Sequence, residues 1–296
     1  SEETWHDVQL MMEGSVAKEA QAHLEIFADV AAGRLDPPPQ KRLLRTISRR
    51  RAGMAAHFGP ETVAHEILSA HEMLARRAER LIYLETQYFR DRRLAHMLAE
   101  AGRSRPGLGM ILILPGAPDD VAFEGNSGPD ARFGEFLQAR ALRILQRGFR
   151  DRLFVGGAAQ PRRAGSRTGN GRDRLSDAPI IYIHAKVSVF DESSAVISSA
   201  NLNGRSLKWD TEAGVLLNNA RDVAALRRKV MAHWLPDDAG PDFFSGNVGT
   251  VAAWRGLALA NARSAPEARR GFLLPYDIKA AERFGQPMPI VPDELV

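Results

Sequence analysis

The stretch Ile181-Tyr182-Ile183-His184-Ala185-Lys186-Val187-Ser188-Val189-Phe190-Asp191 alternates small or branched apolar residues with a set that includes an imidazole and an ammonium. Successive side chains of a strand face opposite sides. Ile183, Ala185, Val187 and Val189 are therefore expected to fill one face, with His184 and Lys186 emerging together on the other. A cation beside a phosphate stabilises the extra negative charge of a phosphorane-like transition state, and a histidine attacks or transfers a proton at neutral pH. The pair points to phosphoryl chemistry carried out without a metal.

Working outward, a second strand over Ala195 to Ser198 leads into Ser199 and Asn201, and Glu212 opens a third strand over Thr211 to Leu217. Strand, turn and strand would return these polar groups to one mouth. His-x-Lys-x4-Asp alone arises by chance in roughly a few per cent of chains of this size, whereas the ordered set is far rarer. Upstream, Leu81 to Glu85, Met110 to Leu114 and Leu153 to Val155 read as buried strands. Helices are expected from Pro60 to about Leu81, from Asp91 to Ala101 and from Ala131 to Gln146. Downstream, a helix over Asp222 to Trp234 closes the unit, and 236–296 reads as a packed extension with one helix near Val251 to Ala262. This alternation predicts an α/β fold: a mixed sheet flanked by helices on both faces.

The beginning of the chain reads differently. Val8 to Glu13 is expected to be a strand and Val16 to Ala32 a helix burying Ala20, Leu24, Phe27 and Val30. A connector then holds Pro37-Pro38-Pro39, a short extended Leu43-Leu44 and the basic Arg45, Arg49, Arg50 and Arg51. The expected organisation is a βα piece over 1–35, a connector over 36–58, the main lobe over 59–235 and the extension over 236–296. The segment 158–177, with arginines 162, 163, 167, 172 and 174, reads as a solvated loop.

The 296 residues are 44% hydrophobic and 26% charged, with a formal charge of +4 and a pI near 9.6. That balance favours anionic partners only weakly. The absence of cysteine excludes disulfides, zinc-thiolate sites and thiol catalysis. No apolar run approaches the ~20 residues of a membrane span, so a soluble protein with at most peripheral membrane contact is expected. His65 and His71, six apart on the expected helix, face different ways and lack metal-ligand spacing. Glycine-rich phosphate loops and G-x-S-x-G elbows are missing too.

These residues together resemble the phospholipase D superfamily, whose HKD motif reads H-x-K-x4-D-x6-G-S-x-N followed by an acidic residue. His184, Lys186, Asp191, Ser199, Asn201 and Glu212 match it, and Ser198 stands where glycine is usual. Ile82-Tyr83-Leu84-Glu85-Thr86-Gln87-Tyr88-Phe89 is similar to the I-Y-x-E-x-Q-Y-F strand. Asn203-Gly204-Arg205-Ser206 and Asp210-Thr211-Glu212 are similar to N-x-R-S and D-x-E, so the resemblance covers about residues 5 to 235. It implies a phosphohistidine mechanism using two HKD motifs. Within it Lys186, Ser199 and Asn201 hold the phosphate, Asp191 mainly anchors its strand and Glu212 orients the histidine of the opposite lobe. Gln87, Tyr88 and Trp209 are candidate pocket residues, and no metal or cofactor is implied.

One His-x-Lys-x4-Asp occurs here, and Trp5-His6-Asp7-Val8 resembles the segment that follows the first motif of two-lobe members. The chain is thus expected to be the C-terminal catalytic half, completed by an N-terminal fragment or by a second copy. The resemblance implies hydrolysis or alcohol exchange of phospholipids at a membrane surface. An HKD nuclease, a cardiolipin-synthase-type transferase and a non-catalytic lipid- or phosphate-binding half-domain are the alternatives, with nucleic acid the less favoured substrate.

Overall fold

Strands that are apolar on both sides require cover on both faces, and the chain supplies it. The computed structural model describes residues 4–51, 59–165 and 171–296. In chain order the elements are β1 (Thr4–His6), α1 (Ser15–Ala31), β2 (Leu43–Arg49), β3 (Glu61–His65), α2 (Glu66–Arg77), β4 (Leu81–Glu85), α3 (Arg92–Ser104), β5 (Gly109–Ile113), α4 (Pro129–Phe149) and β6 (Leu153–Ala158). There follow β7 (Arg174–Leu175), β8 (Ala178–Pro179), β9 (Ile181–Ile183), β10 (Val187–Phe190), β11 (Ser194–Ser198), α5 (Gly204–Lys208), β12 (Glu212–Leu217), α6 (Ala220–Trp234), α7 (Val248–Arg263), β13 (Leu273–Pro275) and α8 (Ile278–Phe284).

Nine strands form one sheet in the order β13-β6-β5-β4-β10-β11-β12-β2-β3. β4, β5 and β6 run parallel, and β10, β11, β12 and β2 continue as antiparallel neighbours. The pleat sorts the side chains: Ile82, Leu84, Met110 and Leu112 pack under α2, α3 and α4, whereas Tyr83, Ile111, Ile113, Val187 and Val189 pack under α6 and α7. Trp234 and Trp254, both with no exposed surface, close the second layer. Capping reinforces the helices where the sequence has Asx residues: Asp91 accepts from the Leu94 N–H, and Asn219 from those of Arg221 and Asp222. No described helix is long and apolar enough to cross a membrane.

Several elements differ from their sequence reading. Val8 to Glu13 carries no strand; the strand is Thr4–His6, beginning four residues earlier, paired in parallel with β9. Residues 43–49, read as connector, form a seven-residue interior strand between β12 and β3. Residues 61–65, read as the start of a helix, form β3 against it, because the β-branched Thr62 and Val63 suit a pleated edge once β2 offers a partner. On α1, Leu24 is exposed and His23 buried; Val30 packs on Ile47 and Ala64, with Ile26 and Phe27 partly buried against the same cluster. The C-terminal extension contributes β13 to the sheet edge, beside β6. His65 stands at the N-cap position of α2, at the end of β3, and His71 is a core residue: its ring faces the Ile67 carbonyl and the Ser188 hydroxyl, and burial pushes its pKa down to about 4. Arg167 lies outside the described residues.

Asp191 sits at the end of β10, at φ 55°, a left-handed conformation that Asp tolerates better than most residues. Its carboxylate accepts from the backbone N–H groups of Glu79 (3.0 Å), Arg80 (2.8 Å) and Leu81 (3.0 Å), tying the turn after β10 to the start of β4. Asp191→Ala strands three donors and is expected to lower stability by about 1–3 kcal/mol, with Asp191→Asn recovering part of it. Urea unfolding measures this; unchanged stability with abolished turnover would move Asp191 into the chemistry.

Candidate active site

The long strand expected over 180–190 is broken where the chemistry lies. β9 ends at Ile183 and β10 begins at Val187, so His184, Ala185 and Lys186 form a crossing between the β1 partnership and the main sheet. Backbone groups in this gap remain paired: the His184 and Ala185 N–H groups both donate to the His6 carbonyl (2.8 and 3.2 Å), and the Ser198 N–H donates to the Lys186 carbonyl (3.2 Å). The break frees the two side chains from a strict strand geometry while keeping them on one mouth.

A cavity of about 550 Å³ opens there. Its lining includes the polar His184, Lys186, Gln87, Ser199, Asn201 and Asp7 and the apolar Val8, Leu10, Leu43, Ile197 and Val215. His184 is well exposed to this space, and its Nδ1 lies 2.9 Å from Asp7 Oδ2. With Nδ1 committed to a carboxylate, Nε2 is left to act on a substrate. The other Asp7 oxygen accepts from the Val8 N–H (2.8 Å). Burial pushes the Asp7 carboxyl up, but hydrogen bonds from His184 and Val8 and the charge of Lys186 outweigh it, so the group ends below the usual carboxylate range.

Lys186 is nearly buried, and burial lowers its pKa to about 8 against the opposing pull of Asp7 and Glu212. Its Nζ donates to the His184 carbonyl, which fixes the ammonium beside the imidazole. Glu212 stands one bond behind the wall: the Ser199 hydroxyl donates to it and in turn accepts from the Ala213 N–H (3.1 Å). Burial holds the Glu212 carboxyl above its ordinary range despite that bond. Asn201 Nδ2 donates to Gln87 Oε1 (3.1 Å), and Gln87 Nε2 donates to the hydroxyls of Tyr182 (2.8 Å) and Tyr88 (3.2 Å).

His184, Lys186, Ser199 and Asn201 are thus brought together with Gln87, and Glu212 supports them from behind. Asp191 does not line the cavity. Tyr88 turns into an adjoining recess, where the Arg90 guanidinium lies 4.0 Å over its ring; Asn201 borders both spaces. Trp209 lies outside the cavity, its ring against Gly59 and its carbonyl accepting from the Ser48 hydroxyl. Asp7 is the residue that sequence reasoning missed as a participant. Its signal was present in Trp5-His6-Asp7-Val8, but its partner lies 177 positions away.

The family model described as "Cardiolipin synthase, PLD-like domain" matches residues 73–234. Phospholipase D1 of Schizosaccharomyces pombe is 25% identical over 271 residues, taking in 77% of this chain; the chain spans only 19% of that relative's length. Among solved structures, the phospholipase D family member Nuc from Salmonella typhimurium is 15% identical with a TM-score of 0.37, covering 57% of this chain and 88% of that one. The phosphatidylserine synthase of Haemophilus influenzae is 19% identical with a TM-score of 0.39, covering 74% and 46%. The family match takes in more than half of the sequence, including every residue of the His184 motif, and on that ground the chain belongs to the phospholipase D superfamily of phosphodiesterases and phosphotransferases.

Proposed function

We propose that this chain is one catalytic half of a phospholipase D that cleaves or exchanges phospholipid headgroups through a phosphohistidine, and that a second HKD set on another chain or fragment completes the site. The observation that carries this reading is the His184–Asp7 pair beside the Lys186 ammonium in an open cavity lined by both polar and apolar side chains. Asp7 fixes the ring so that Nε2 faces the substrate, Lys186 and the second N–H of the Asn201 amide meet the phosphate oxygens, and the apolar lining residues Val8, Leu10, Leu43 and Val215 accept the glycerol and acyl side of a lipid. A single histidine cannot serve as both nucleophile and leaving-group acid in one displacement, which is why a second set is required.

A second reading is transfer to an alcohol acceptor in place of water; the cardiolipin synthase description of the matching family model favours it. One experiment addresses both. Assembled protein is given phosphatidylcholine vesicles with a chelator, then ethanol, and native mass is measured on the active fraction. Phosphatidate and choline should form in the presence of chelator, ethanol should divert product to phosphatidylethanol, and active particles should contain two HKD sets. Phosphatidylglycerol converted to a diphosphatidyl product with little hydrolysis would select the transferase. An active lone 296-residue monomer would sink the two-set requirement, and efficient cutting of DNA with vesicles untouched would replace the lipid reading by the nuclease.

A further inference from the structure

Asp7 holds His184, but what holds Asp7 is less obvious. Asp7 directly follows β1, which among the described residues has three residues and pairs with the three residues of β9 in a two-stranded sheet of its own. Pairing that short is marginal in water. From Asp7 to Glu13 no regular structure continues the hold. A carboxylate that must stay within about 0.5 Å of its productive place needs a firmer anchor.

The anchor is one residue away. His6 points to the opposite side from Asp7, and its Nε2 lies 3.0 Å from Glu85 Oε2. Glu85 ends β4, a strand in the middle of the main sheet, and its side chain has no exposed surface. Its other oxygen accepts from the Tyr83 hydroxyl (2.5 Å) and from Trp234 Nε1 (3.1 Å). Burial first, and the charge of Glu85 second, raise the Tyr83 pKa well above its ordinary value, so the phenol stays a donor. The His6 ring is stacked on His233 at 4.3 Å and meets the edge of Trp234 at 4.5 Å. A buried carboxylate with three donors, locked by two core aromatics, is a rigid point in the molecule. Neither His6 nor Glu85 lines the cavity.

We infer that Glu85 and His6 form a clamp that positions Asp7, and through it sets the His184 tautomer: the core carboxylate pins the His6 ring, the His6 carbonyl takes the His184 and Ala185 N–H groups, and the next side chain along is delivered to Nδ1. His6 and Glu85 are positioning residues acting through Asp7 and touch no substrate. The consequence for turnover rests on the proposed role of His184. The hold of the clamp on Asp7 and on the His184 ring does not.

The test is a double-mutant cycle on the assembled enzyme, read by steady-state kinetics and, separately, by side-chain nitrogen NMR of His184. His6→Phe keeps a flat ring against His233 and Trp234 but removes the donor to Glu85; His6→Gln restores a donor. A small misplacement at a reacting group costs on the order of tenfold to a hundredfold. His6→Phe should accordingly lower kcat by at least about tenfold with KM within about threefold, and His6→Gln should recover most of the loss. With Asp7→Asn already present, adding His6→Phe should change kcat by less than about twofold, since the route of its effect is gone. The NMR signature of a protonated, carboxylate-bonded Nδ1 on His184 should be present in the wild type and lost in His6→Phe. Independent, multiplying effects of the two substitutions, an undiminished kcat in His6→Phe, or an intact Nδ1–H signal in that variant would each overturn the clamp. Should the protein turn over no phospholipid, the Proposed function fails on that count, while the NMR arm still decides the clamp.

Discussion

Under the proposed function Lys186→Ala is expected to lower kcat/KM about a thousandfold on every phosphodiester accepted, because it removes the cation that the proposal sets against the phosphate. The loss should be similar for good and poor leaving groups, since charge builds on the phosphoryl oxygens in either case. A second signature follows from burial, which places the Lys186 pKa at about 8. Below that value the side chain is an ammonium and serves; as pH rises through it the charge is lost. The profile of kcat/KM, which reports the free enzyme, should therefore fall on its alkaline side near pH 8. Lys186→Arg keeps a permanent cation and should retain part of the activity without that alkaline fall. A fall that persists unchanged in the arginine variant would assign the titration to another group.

The same lysine shows what the sequence could and could not disclose. That His184 and Lys186 share a mouth followed from period-two alternation, and their apolar companions Ile183, Ala185, Val187 and Val189 do fill one layer. The strands of the sheet centre were legible because each is a short apolar run between turn residues. What escaped was decided by distant partners. Glu61-Thr62-Val63-Ala64-His65 fits a helical stripe or an edge strand, and only β2 selects the strand. Leu273-Leu274-Pro275 is too short to announce itself and becomes β13 by lying along β6. The break between β9 and β10 is of the same kind: β1 draws Ile181–Ile183 away from the main sheet, and nothing local to residue 184 records it.

Charge pairing was equally nonlocal. Asp7 is chemically ordinary in the sequence, and its significance comes from the parallel register Thr4↔Ile181, Trp5↔Tyr182, His6↔Ile183, which delivers the next residue of each strand, Asp7 and His184, to one another. Trp5 reinforces that register with its ring 4.5 Å from Tyr182 and 5.8 Å from His184. Trp209, a candidate pocket residue in the sequence, has its ring over Gly59, since the turn through α5 carries it back there. Ser198, in the place where glycine is usual, packs its Cβ against Gly214 on β12, at a spacing that only a glycine partner allows. The departure is matched by a small residue across the strand pair.

His184→Ala is expected to have the largest effect of all, and its size should depend on the leaving group. The superfamily mechanism uses two histidines, one attacking phosphorus and the other protonating the departing oxygen and later activating water. In the proposed assembly His184 takes the second role, its Nδ1 tied to Asp7 and its Nε2 turned to the cavity. An alkoxide such as that of choline is strongly basic and departs only with a proton, so hydrolysis of phosphatidylcholine should fall by about 10⁴-fold or more. p-Nitrophenolate departs without help, so a p-nitrophenyl phosphodiester should still give a rapid burst close to one equivalent per site. Turnover should then stall, because hydrolysis of the phosphohistidine needs the base that has been removed. Mass spectrometry of the quenched variant should find the phosphoryl adduct on the partner set's histidine. Asp7→Asn should show the same pattern more mildly, its amide failing to hold the Nδ1–H tautomer. In wild-type enzyme quenched during turnover, an adduct on His184 itself would reverse the roles, making this half the source of the nucleophile and the partner set the source of the acid.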